Sequence, residues 1–311
     1  MNIKPINQKK IIGYDDLFKR LIDLYNNKKL PNKIIISGQK GIGKSTFVYH
    51  FINYIFSKNE DFPYDLNKFE INNDNKSFKL VKNSVHPNFF LLDLIDNKKN
   101  IEIDQIRKAI KYSQKSSFNN DYKIVLIDNL DKLNINSANA LLKIIEEPNE
   151  KLIFFLIHDS SKKILETIKS RCIVFKKQFT SKENISITKE MLNTKIENFI
   201  NPNIINHYST IGDFIFLYNF SKQYKLDLKD FSAKSLLLYL INYKYYKNEP
   251  IVTNLIYELI QFYFYKTFLD NKNLDFYVYY QNFIKKIYYA NEFNLDIENL
   301  FLEFKKKVIS E

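Results

Sequence analysis

Three of the chain's five glycines, Gly38, Gly41 and Gly43, fall within six residues. They lie in the run Gly38-Gln39-Lys40-Gly41-Ile42-Gly43-Lys44-Ser45, which fits G-x-x-x-x-G-K-[ST]. Glycine is needed where backbone must take a positive φ or press against a ligand. A chain this poor in glycine has kept a cluster in one loop. The run follows an apolar stretch, Lys33–Ser37, and opens a helix-like segment, Thr46–Ser57. Strand, loop and helix in that order make a phosphate cradle: backbone N–H groups turn inward and the helix N-terminus adds its positive end. Lys44 would reach the β and γ phosphates and Ser45 would hold Mg²⁺. Gly38, Gly41, Gly43, Lys44, Ser45 and Thr46 are therefore the expected nucleotide-binding residues, with ATP and Mg²⁺ the expected ligands.

Further apolar runs recur at Asn88–Leu92, Lys123–Ile127, Leu152–Ile157 and Cys172–Phe175. They are nearly continuous and not alternating, which predicts strands buried on both faces. Helix-like segments lie between them at Gln105–Lys115, Ser137–Glu146 and Ile164–Lys169, with Asp104 and Asn136 as N-caps of the first two. Strand alternating with helix predicts a parallel sheet of five strands covered on both sides. Residues 59–84 are polar and weakly patterned, a surface excursion with room for one short helix. After Gln178 the strand pattern stops, and helical patterns run to the end. They are broken near Asn201-Pro202, Gly212-Asp213, Lys229-Asp230 and Glu249-Pro250. The expected layout is an α/β domain at 1–178, a small helical lid at 179–226 and an all-α domain at 227–311. The aromatics of Tyr243–Tyr246 and Gln261–Tyr265 are expected in helix cores; stacking on nucleic-acid bases is the other use open to them.

Lys123–Ile127 ends in Asp128, placed to act on Mg²⁺ as the second element of a phosphate site. The alternative for Asp128 is a turn cap. The next residue is Asn129, which can orient water but cannot take its proton. Asp131 is close in sequence and is expected to point elsewhere.

Composition excludes several classes. One cysteine, Cys172, forms no internal disulfide and no multi-cysteine zinc site. With no Cys/His/Asn set around it, Cys172 is expected as a small buried residue at a strand start. The histidines, His50, His86, His158 and His207, show no metal spacing. No window has the ~18 apolar residues of a membrane helix, and Met1-Asn2-Ile3-Lys4-Pro5 lacks the apolar core of a secretory signal. A cytoplasmic location is expected. The net charge of +12 comes almost wholly from lysine, since arginine occurs only at Arg20, Arg107 and Arg171. Codon bias explains most of it, and any DNA contact is expected to be modest, through backbone phosphates and salt-sensitive.

Ser137-Ala138-Asn139-Ala140-Leu141-Leu142-Lys143-Ile144-Ile145-Glu146-Glu147-Pro148 resembles the N-A-L-L-K-x-L-E-E-P signature of clamp-loader subunits of the AAA+ group. Ser170-Arg171-Cys172 is similar to their S-R-C motif. Two of the five alanines, the sole cysteine and one of three arginines sit in these blocks. Ile12-Gly13, Leu30-Pro31 and His86-Pro87-Asn88 also match, so the resemblance covers residues 10–178.

The resemblance implies several things. The nearest kind of subunit is the delta-prime of bacterial DNA polymerase III, with tau/gamma the competitor. Both usually carry a four-cysteine zinc module, which this chain lacks. The motor kind has Glu where Asn129 stands, and a sensor arginine where this chain has Thr210-Ile211-Gly212-Asp213. His158 falls near a sensor position that usually holds Thr or Asn. These departures imply a subunit with little or no ATPase of its own. Arg171 is implied to act as an arginine finger in the site of an adjacent subunit, where such a residue is worth ~10³–10⁵ in rate; a salt bridge at a helix end is its alternative. Arg20 and Arg107 fall in no motif and are expected in surface or interface ion pairs. Implied partners are the tau/gamma and delta subunits, with the sliding clamp and primed DNA reached through the complex and no membrane. The competing expectation is an active AAA+ ATPase of tau/gamma or helicase type.

Overall fold

The computed structural model describes residues 4–309 apart from 96, 97, 99, 147–150, 206–208, 249, 273 and 294. Glu147 and Pro148 of the signature block, and His207, lie outside the described residues. The described chain divides into two compact units. The first is Met1–Leu192 with Thr210–Ile215, and the second is Asn193–Ser209 with Phe216–Glu311.

The first unit is built on a parallel sheet of five strands: β1 (Lys33–Gly38), β2 (Phe89–Leu92), β3 (Lys123–Ile127), β4 (Leu152–Asp159) and β5 (Ile173–Lys176). Their order is β2-β3-β4-β1-β5, with every pairing parallel. The continuous apolar runs have a direct cause. Successive residues turn to opposite faces of a strand, and here both faces are buried. Ile124 and Leu126 enter one core with Ile34, Ile36 and Phe155. Val125 and Ile127 enter the other with Ile35, Phe154 and Leu156.

Helices α1 (Asp15–Asn26), α2 (Lys44–Phe56) and α3 (Lys76–Lys82) cover the first face. Phe18, Phe47 and Phe51 form its center, with ring pairs 5.8–5.9 Å apart. Helix α3 is the short helix expected in the polar excursion, capped by Asn75, whose side chain accepts from Phe78 N. Helices α4 (Ile103–Ser113), α5 (Ile135–Glu146) and α6 (Glu166–Lys169) serve the second face through Ile106, Ala138, Leu141, Ile144 and Ile168. Both expected N-caps fall inside their helices. Helix α4 is capped at Glu102, whose N–H donates to Gln105 Oε1 at 3.0 Å. Helix α5 has the Asn134 side chain accepting from Ser137 N at 2.8 Å.

Helix α7 (Ser181–Leu192) closes the first unit, and α8 (Ile211–Tyr224) begins in it and ends in the second. The second unit continues with α9 (Ala233–Asn242), α10 (Tyr245–Asn248), α11 (Pro250–Asn271), α12 (Leu274–Glu292) and α13 (Ile297–Ile309). Of the two aromatic runs expected in helix cores, only Tyr246 and Phe264 are buried. Phe264, Phe283 and Phe304 are buried, with centroids 5.5–6.1 Å apart. Tyr246 packs on Phe301, whereas Tyr243 and Tyr265 are exposed. No described helix is long and apolar enough to cross a membrane.

Candidate functional site

A parallel sheet brings the C-terminal ends of its strands to one edge, and open α/β sheets bind ligands there. Gly38 ends β1 opposite Asp159 at the end of β4. Asp128 follows β3, its N–H donating to Leu92 O at the end of β2. The phosphate loop leaves β1 at this edge and turns into α2.

Within the loop Gly41 and Gly43 have φ of +86° and +87°, so a side chain at either would be strained. Gly43 caps α2 in the left-handed region, and Thr46 sits half-buried in the first turn. Gly38 has a different reason: a Cβ there would collide with the Lys177 carbonyl. The Lys44 ammonium donates to the carbonyls of Gly38, at 2.8 Å, and Gln39, at 2.5 Å. Burial pulls its pKa down to about 8, against the charges of Asp159, Asp128 and Asp131. Asp131 faces the Lys132 ammonium at 3.9 Å.

Ser45 Oγ donates to Asp128 Oδ2 at 2.7 Å, which joins the two expected phosphate-site elements. Burial raises the Asp128 carboxyl, and the charge of Asp93 adds to this. The hydrogen bonds from Ser45 and the Asn129 N–H, with the Lys44 charge, oppose it. A loop with two glycines at positive φ, an ammonium at the loop and a hydroxyl–carboxylate pair fit a nucleotide's phosphates with Mg²⁺: Lys44 for the phosphates, Ser45 and Asp128 for the cation.

Asn129 takes φ +57° and donates its side-chain amide to Asp93 Oδ1 at 2.7 Å. His158 turns to neighbours of its own: Nδ1 lies 3.1 Å from Ser37 Oγ and Nε2 3.1 Å from Lys162 O. The Thr210–Asp213 stretch meets the loop directly, Gly212 N donating to Gly41 O at 2.8 Å.

Arg171 stands apart from this group. It follows α6, with one guanidinium nitrogen 2.8 Å from Glu146 Oε1 and another donating to Thr167 O at 2.9 Å. Its side chain is 40% exposed. Arg107 pairs with Asp104 at 2.8 Å, as expected. Arg20 instead lies over the Phe175 ring, 5.2 Å from its centroid. Cys172 is partly buried, its thiol pushed up to about 11 by burial, which keeps it from being a thiolate nucleophile.

Sequence reasoning missed Asp93, Asp159 and Tyr14, whose hydroxyl donates to Ile42 O at 3.0 Å in the loop. Asp93 had a readable signal: it directly closes an apolar run, as Asp128 does.

Residues 13–180 match the family described as DNA polymerase III, delta subunit. The DNA polymerase III subunit delta′ of Buchnera aphidicola subsp. Schizaphis graminum is 31% identical over 195 residues, 61% of this chain and 54% of that protein. The subunit delta′ of Pseudomonas aeruginosa is 30% identical over 98 residues, 32% of this chain and 30% of that protein. The DNA polymerase III subunit gamma/tau of Mycoplasma genitalium is 28% identical over 243 residues, 73% of this chain and 38% of that protein. The matched stretches thus span between under a third and just over half of these relatives. With the family match running across the phosphate loop, Asp128 and Arg171, the chain belongs to the DNA polymerase III delta subunit family and is delta-prime-like.

Proposed function

We propose that this chain is a delta-prime-like member of a clamp-loader complex, helping ATP-dependent loading of a sliding clamp on primed DNA. Its partners are tau/gamma and delta subunits, and it works in the cytoplasm. Residues 1–178 form the nucleotide-binding domain, 179–226 the lid and 227–311 the oligomerising collar.

One observation carries the reading. The residue after Asp128 is an amide already hydrogen-bonded to Asp93, so the position best placed to activate water bears no base. A missing general base forfeits roughly 10²–10⁴ in rate. The chain's own contribution to turnover then lies outside its own phosphate loop. Arg171, with its guanidinium partly open to solvent, serves as a finger in the site of an adjacent subunit, where its planar fork suits phosphoryl oxygens better than lysine would. Glu146 and the Thr167 carbonyl hold it at the end of α6 until that neighbour is present.

A second reading, an active ATPase, draws on the Ser45–Asp128 pair, which is ready for a cation. Reconstitution with tau/gamma and delta subunits separates the two. Under the first, Arg171→Ala lowers clamp- and DNA-stimulated ATP turnover at least a hundredfold while assembly by light scattering is intact, and Lys44→Ala in this chain leaves turnover nearly unchanged. Turnover by the isolated chain, abolished by Lys44→Ala, would establish the second.

A further inference from the structure

Asp93 stands at the phosphate site as the partner that holds the Asn129 amide. It closes β2 as Asp128 closes β3, and the parallel register, Leu92 opposite Ile127, sets the two side by side. Its carboxylate is held from two sides. Asn129 Nδ2 and Leu94 N both donate to Oδ1 at 2.7 Å. Its carbonyl is fixed as well, accepting from Gln105 Nε2 of α4 at 2.7 Å.

Two consequences follow from elementary chemistry. The Asn129 amide is fixed by its nitrogen, so its oxygen is turned away from Asp93. In addition, a second negative charge beside Asp128 favours a divalent cation there and repels a bare polyphosphate. At separations of several ångströms and the effective dielectric of a partly buried site, one such charge changes affinity roughly tenfold.

We propose that Asp93 is a positioning and selectivity residue of the phosphate site: it fixes the Asn129 amide, and its charge makes the site take nucleoside di- and triphosphates as magnesium complexes in preference to the free anions. The inference rests on the phosphate loop binding nucleotide at all.

The test is calorimetric titration of the whole chain with ADP, in excess Mg²⁺ and in excess EDTA. Asp93→Asn is expected to bind free ADP roughly tenfold more tightly while its affinity for Mg·ADP changes less than about threefold. Asp93→Glu, which keeps the charge, is expected to retain the wild-type preference, and it stands in if Asp93→Asn fails to fold by circular dichroism, where loss of the preference would count against the role. A merely structural part for Asp93 would weaken both forms alike and leave their ratio unmoved, and that result would overturn the proposal. Wild-type chain that binds ADP under neither condition would overturn the phosphate-site reading and this inference with it. Binding with an unmoved ratio would remove the role of Asp93 alone.

Discussion

Gly41 and Gly212 meet backbone to backbone. The Gly212 N–H donates to the outward carbonyl of Gly41 at 2.8 Å, and a Cβ on Gly212 would lie 2.8 Å from Gly41 Cα. The ammonium of Lys44 takes the Gly38 and Gln39 carbonyls of the loop, and the Gly41 carbonyl needs another donor wherever water is excluded. The first turn of α8 supplies one. Thr210 steadies that turn, since its N–H and hydroxyl both donate to Asp213 Oδ2 at 2.7 Å.

Gly212→Ala is therefore expected to push α8 off the loop. The overpacking cost is about 1–3 kcal/mol. A melting temperature lower by several degrees, together with faster amide exchange across residues 38–45, is the expected outcome. Unchanged exchange in the loop would show that the glycine contact does not support it.

Lys44 gives a pH signature. Its folded pKa, about 8, is below the ordinary 10.5. Between those values the unfolded chain holds more protons, so the lysine's contribution to stability rises with pH across roughly 8–10.5. At neutral pH its buried charge costs up to about 3 kcal/mol. Denaturant unfolding of wild-type and Lys44→Met chains at several pH values checks this: the stability difference between them should shift in favour of wild type as pH climbs from about 8 toward 10.5. Phosphate affinity, which needs the charged form, should fall over the same window.

His50 works in the acid direction. It is fully buried, with Nδ1 2.9 Å from the Tyr64 hydroxyl and Nε2 3.1 Å from the Gln8 carbonyl. Burial pulls its pKa to about 4. Below the ordinary 6.5 the unfolded chain binds the extra proton, so stability is lost as pH falls from about 6.5 toward 4. The loss assignable to His50 is about 3 kcal/mol. His50→Gln should show a shallower acid slope in urea melts, with lower stability at pH 7.

Lys123 is almost wholly buried at the start of β3. Its ammonium donates to the carbonyls of Tyr112, Ser113 and Lys115, where α4 ends, and lies 4.3 Å from the Tyr112 ring centroid. Lys123→Met removes this donor from the Ser113 and Lys115 carbonyls, which costs about 1–3 kcal/mol. Chemical denaturation should register the loss. By contrast the Arg171–Glu146 pair is solvent-exposed; Glu146→Gln should change stability by less than about 1 kcal/mol.

Much of the fold was legible because its strands are buried on both faces. A run such as Ile124-Val125-Leu126-Ile127 has no polar residue to place outward, and that pattern separates a covered parallel sheet from a solvent-facing one. The loop was legible because glycine is needed there and is scarce elsewhere. Helix starts were less so. Glu102 and Asp104, or Asn134 and Asn136, are both polar, and only the local φ and ψ decide which one caps. Lys123 read as a strand residue because its partners come from the preceding helix end. The pairing of Asn129 with Asp93 was illegible for a related reason: it joins residues 36 apart across two strands. The seat of Arg20 over the Phe175 ring was illegible because it joins residues far apart in sequence through an aromatic face.

The strand order has a consequence for how the chain is made. Strand β1 lies between β4 and β5 and touches no strand nearer in sequence. Its Ser37 pairs with His158, 121 residues on. At ~5–20 residues per second of synthesis, the first-made strand waits several seconds or more for both its neighbours. Until residues 152–176 have emerged, Ile34, Ile35 and Ile36 have no ladder to join and the phosphate loop has no anchored strand to spring from. The site that most marks this chain is encoded early and assembled late, so a nascent chain halted before residue 152 would present an unpaired apolar strand to chaperones and not a nucleotide site.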